Sequence, residues 1–239
     1  MRIPDMKRMM QPALLIVTLA FAAAPFITPP FMGYDPGVFP VRIERPSVQP
    51  AGYAFAIWGL IYLWLILHAA FGLIKRRDDP AFIKPALPLA LSVALGTVWL
   101  AIALAAPIPA TLAIIGMAAV AIYAYLIADP DQDRWLLASP LAIFAGWLTA
   151  AAAVSTGVIL AGYGVLSDST TTTVMLMIVL AIAITVQTKR PDMPMYGATV
   201  TWAIVGIVVA NWGLNPSVAY IAAAGAALMA LTTLVKMRR

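Results

Sequence analysis

The chain of 239 residues has no cysteine and a single histidine. Disulfides, thiolate metal sites and a cysteine nucleophile are excluded by that composition, and cysteine usage says nothing of redox compartment. Charge is also scarce. Only 10% of residues are Asp, Glu, Lys or Arg, against about 25% in an ordinary soluble domain. The ten acids (Asp5, Asp35, Glu44, Asp78, Asp79, Asp129, Asp131, Asp133, Asp168 and Asp192) all fall between the long apolar runs. Ion-coupled carriers and pumps keep a costly charge inside the membrane for function. Its absence argues against that class and leaves a facilitator open. Walker loops, GxGxxG, HExxH and GxSxG are missing as well. No carboxylate pair sits on an apolar segment for acid–base work, so the chain reads as a non-enzyme.

Hydrophobic residues make up 63% of the chain. Eight uncharged stretches, roughly 12–32, 54–74, 86–106, 108–128, 136–162, 171–188, 195–213 and 216–235, are each long enough to cross a hydrocarbon core of about 30 Å as a helix. In lipid the backbone must satisfy its own hydrogen bonds. The expected fold is therefore all-α, a polytopic transmembrane bundle of about eight helices, with the lipid bilayer as its first partner. Arg2, Lys7, Arg8 and Ala22-Ala23-Ala24 imitate a signal peptide, but the uncharged run continues to Met32 and reads as a span. With the N-terminus in the cytoplasm, 13 of the 15 Lys and Arg residues fall inside, and only Arg42 and Arg45 fall outside. That bias places both termini in the cytoplasm and suits a bacterial inner (plasma) membrane. It also explains the net charge of +5 without a nucleic-acid partner.

The loop 33–53 stands apart. Pro36, Pro40, Pro46 and Pro50 reduce its unfolded entropy, so an ordered cap is expected rather than a tether. It leads into an aromatic helix. At 100° per residue, Phe55, Trp58 and Tyr62 share one narrow arc, while Trp64, His68 and Phe71 fall nearly opposite. The first set reads either as ordinary helix packing or as the wall of a pocket for a flat apolar ligand. The second reads as a lipid-facing stripe with a snorkelling histidine. His68 is also a weak candidate for an axial metal ligand. Gln187 and Asn211 are polar side chains that are costly to bury unpaired.

Pro46, Pro50, Tyr53, Phe55, Trp58 and Tyr62, followed by Gly96-Thr97-Val98-Trp99 and by Pro140 through Trp147 to Thr149, resemble the translocator protein / tryptophan-rich sensory protein family (TspO/MBR, peripheral benzodiazepine receptor-like) over about residues 12–162. The resemblance implies a five-helix core at 1–165, to which this chain adds three helices at 166–239. It implies an apolar pocket open toward the first loop, with Phe55, Trp58, Tyr62, Trp99, Trp147 and Thr149 as ligand-binding residues. A tetrapyrrole such as a porphyrin, or a sterol, is the implied small apolar ligand, with no certain cofactor. A homodimer and a sensory or transport-related role are implied too. Two other readings stand beside it: a small-molecule facilitator or exporter, and a non-catalytic accessory subunit of a larger, pigment-bearing membrane complex.

Overall fold

The computed structural model describes residues 3–237, with side chains from Met9 onward. Eight α-helices follow one another: α1 Ile3–Ile27, α2 Ile57–Lys75, α3 Pro80–Ala105, α4 Pro107–Ile127, α5 Ala138–Gly162, α6 Asp168–Lys189, α7 Pro194–Asn211 and α8 Pro216–Met237. All eight are long and apolar enough to cross a membrane. The protein is an integral membrane helical bundle. Even-numbered helices begin at the end that carries the loop 33–53, here the cap end. The opposite end carries Lys75, Arg76, Arg134 and Arg190.

Local chemistry sets the helix ends. The expected run to Met32 stops at Ile27 because Pro29 and Pro30 follow; a proline lacks the N–H a helix needs and disfavours helical backbone in the residue before it. In contrast, α3 begins six residues ahead of the apolar run. The Asp79 carboxylate accepts from the Ala81 N–H at 3.0 Å, and Pro80 occupies the first turn, a preorganised N-terminus. Between α3 and α4 the chain turns on one extended residue, Ala106 (φ −154°). Phe55 does not lie on α2 as expected. It belongs to a short 3₁₀ turn, Gly52–Ala56, that precedes the helix.

Five helices close a ring in the order α1, α2, α5, α4, α3, each packed on the next and α3 back on α1. The seam between α2 and α5 is the thinnest. Helices α6 and α7 pack on the far side of α5, and α8 closes against both. The fit of α5 to α7 depends on Gly146. A Cβ there would stand 2.8 Å from the Tyr196 carbonyl oxygen, closer than backbone tolerates. Consistent with its central place, α5 is buried along most of its length. Residues 166–237 pack on the ring mainly through α5.

The second aromatic set of α2 is not a lipid-facing stripe. His68 is 1% exposed, its Nδ1 lies 2.7 Å from the Leu136 carbonyl, and its ring stacks on Phe82 at 5.6 Å. Trp64 donates from Nε1 to the Trp135 carbonyl at 2.7 Å. The reason is the turn 128–137, which folds back over this face of α2. Its carbonyls at 135 and 136 supply acceptors that lipid cannot. Arg76 reaches the same turn, donating to Asp133 at 2.7 Å.

Candidate functional site

A cavity of about 420 Å³ lies in the cap half of the bundle. Its volume falls within the range of small-molecule sites. Helix α2 contributes Trp58 and Tyr62, α3 contributes Gly96 and Trp99, α5 contributes Trp147, and the 3₁₀ turn contributes Phe55. Five of the six binding residues expected from sequence therefore meet on one wall. The rings are mutually fixed. Trp58 stacks on Tyr62 at 5.4 Å (18° between planes), while Phe55 and Trp58 meet Trp147 edge-on at 5.7 and 6.1 Å. Phe21 of α1 adds edge contacts to Trp58 at 5.9 Å and to Tyr62 at 5.0 Å. Edge-to-face and offset stacks of this kind hold rings rigid with little entropy left to lose.

Two expected residues stand elsewhere. Thr149 is two residues from Trp147 on α5 and faces α7. Its hydroxyl bonds the Ala145 carbonyl at 2.8 Å and the Tyr196 hydroxyl at 2.9 Å, and it does not line the cavity. On a helix, residues two apart do not share a face, so Trp147 and Thr149 could not both point inward. His68 lies toward the other end of α2, outside the cavity wall. No cluster of three or more His, Cys, Asp or Glu surrounds it among the described residues.

The wall holds no acid and no base. Two of its polar groups are paired within the protein, while the buried Trp147 Nε1–H has no partner among the described residues. The Trp99 Nε1 donates to the Ala110 carbonyl at 2.9 Å. Ser155 is shared between Tyr34 at 2.8 Å and Thr111 at 2.6 Å. The cavity is therefore a largely apolar chamber with a cluster of aromatic rings in its wall.

Sequence reading missed the second half of the wall. It comes from α6 (Met175, Leu176, Val179) and α7 (Ala203, Ile204, Ile207). Aliphatic residues on a membrane helix carry no signal that separates a cavity wall from a lipid face.

The loop does form an ordered cap, and the same two helices hold it. Ser47 donates to Asp168 from its backbone N at 3.0 Å and from its hydroxyl at 2.5 Å. Its carbonyl accepts from Asn211 Nδ2 at 2.8 Å. Farther along, Ala51 N donates to the Gly206 carbonyl at 2.9 Å, and Trp202 Nε1 donates to the Ala54 carbonyl at 3.0 Å. A Cβ on Gly206 would sit 2.8 Å from Pro50 Cβ, so glycine lets the strap lie flat on α7. Val48 and Pro50 thereby reach the cavity. Phe31 closes the other side, edge-on to Trp99 at 5.3 Å. Asn211 is thus a cap anchor. Gln187 serves a different turn, accepting from Gly197 N at 3.1 Å.

A family model described as TSPO-like protein matches residues 13–235. The match runs through α6–α8 as well as the ring. No curated protein and no solved structure matches the chain.

Proposed function

The chain belongs to the TSPO-like protein family, and from that premise we propose that it binds a flat apolar ligand in the aromatic chamber beneath the cap, in a sensory or transport-related role without chemical turnover. One observation carries the reading: Trp58, Tyr62, Trp99 and Trp147, drawn from three helices far apart in sequence, wall one continuous cavity. Trp58 touches both Tyr62 and Trp147, although lipid already solvates apolar surface and gives helices no hydrophobic drive to associate. Rigid edge-to-face rings around an apolar space are suited to holding a planar π-system. The base-rich end is read as cytoplasmic, which puts the cap on the outer side of the membrane.

The test is tryptophan fluorescence in lipid nanodiscs titrated with a metal-free porphyrin ester. Saturable quenching that weakens at least tenfold in Trp58→Ala and Trp147→Ala supports the reading. Quenching that is linear in ligand, or unchanged in both variants, overturns it. Flux of the same ligand across liposomes then separates the transport role from the sensory one.

A further inference from the structure

The two halves of the cavity wall differ in kind. The ring side carries the aromatic cluster Phe21, Phe55, Trp58, Tyr62, Trp99 and Trp147, set among aliphatic residues such as Leu100, Ile114 and Met117. The side made by α6 and α7 is wholly aliphatic, with Met175, Leu176, Val179, Ala203, Ile204 and Ile207. Val48 of the strap and Val158 of α5 continue this aliphatic surface and pack against Met175 in one cluster. A flat ring alone would use only the first wall. The second presents branched aliphatic groups, which gain dispersion contacts from a chain but offer no π-face to a ring.

Charge narrows the occupant further. No lining residue is Lys, Arg, His, Asp or Glu. On the loop, Arg42 is paired with Glu44 at 2.7 Å, a contact that raises its pKa. Arg45 of the loop is exposed, and the Asp168 carboxylate is bonded to Ser47 of the strap. An anionic ligand group seated inside would meet no cationic side chain in the wall, and a buried charge without a counter-charge is disfavoured.

We infer that the cavity takes an uncharged ligand of two parts, a flat unsaturated ring against the aromatic wall and a branched aliphatic chain against α6 and α7. This rests on the binding function proposed above. It assigns α6 and α7 a direct part in ligand choice, in addition to holding the cap.

Three quinones sharing one benzoquinone ring test it by tryptophan quenching in phosphatidylcholine nanodiscs: the bare ring, the ring with a short isoprenoid chain, and the ring with a chain ending in carboxylate. Concentrations are compared as membrane mole fractions. Lipid solvates the chain as well as the protein does, so any advantage of the chain must come from the fixed wall. The isoprenoid form is expected to half-saturate at least fivefold below the bare ring, and the carboxylate form at least tenfold above the isoprenoid form. Val179→Phe on α6 and Ala203→Leu on α7 fill the aliphatic side. Each should abolish the advantage of the chain, bringing the half-saturation of the isoprenoid form to that of the bare ring in the same variant. Equal binding of bare and chained rings, or equal weakening of both by the filling variants, overturns the inference and leaves the binding function standing. Quenching by all three that ignores Trp58→Ala and Trp147→Ala removes the binding function itself.

Discussion

Replacing Asp168 by alanine should open the cap without unfolding the bundle. In the native protein this carboxylate accepts from the Ser47 backbone N–H at 3.0 Å and from the Ser47 hydroxyl at 2.5 Å. A hydrogen bond to a charged group contributes about 1.5–3 kcal/mol. The site is part-buried, and Asn215 still reaches the Ser47 hydroxyl at 3.2 Å. Taking about 2 kcal/mol for the pair in this half-exposed setting, the strap should open roughly thirtyfold more often. The remaining ties, Asn211 to the Ser47 carbonyl and Ala51 to Gly206, set the ceiling on that effect. Asp168→Asn keeps an acceptor and should show a smaller rise. Amide hydrogen exchange read by mass spectrometry on peptides spanning 46–54 measures it, with a peptide of α4 as the internal standard. Exchange over 46–54 that stays native in Asp168→Ala, while ligand-free melting is also unchanged, would refute the assignment of Asp168 as the cap anchor.

Gly146→Ala places a Cβ 2.8 Å from a backbone oxygen of α7; overpacking of that kind costs about 1–3 kcal/mol, and the melting temperature in detergent should fall accordingly. Thr149→Val removes the bond to the Tyr196 hydroxyl, worth about 1 kcal/mol; stability should drop while quenching by ligand stays native, because Thr149 does not line the cavity. Outside the membrane, the N–H groups of Gln132 and Asp131 hold the Asp129 carboxyl below its ordinary value of 3.8. A depressed folded pKa adds stability above the unfolded value that is lost as pH falls through the folded one. The turn 128–134 should thus loosen only in strong acid, and Asp129→Asn should erase that step in the pH dependence of Trp135 fluorescence.

The eight spans were legible because uncharged runs of that length have no other stable solution in lipid. Their ends were less so. The run to Met32 looks continuous by hydropathy, yet Pro29-Pro30 halts the helix at Ile27. Helical angles grouped Trp58 with Tyr62 correctly, and the family resemblance added Trp99 and Trp147, which no local pattern links to them. Thr149 lies two residues from Trp147, a spacing that turns it to α7 and the Tyr196 hydroxyl. Most of what the sequence concealed lies in α6 and α7. Val179 and Ile204 look like any lipid-facing residue, and Ser47 meets Asp168 across 121 positions. Such partnerships are made by packing, so no periodicity announces them.

Photo-crosslinking tests the central claim most directly. A flat, uncharged ring carrying a diazirine is equilibrated with the protein in nanodiscs, illuminated, and the labelled residues are mapped by mass spectrometry. The account predicts labels on peptides containing Trp58, Trp99 and Trp147, competed away by excess unlabelled ring. Labels confined to outward residues such as Leu63, Leu112 and Tyr220, all exposed on the bundle surface, and insensitive to competitor, would contradict it.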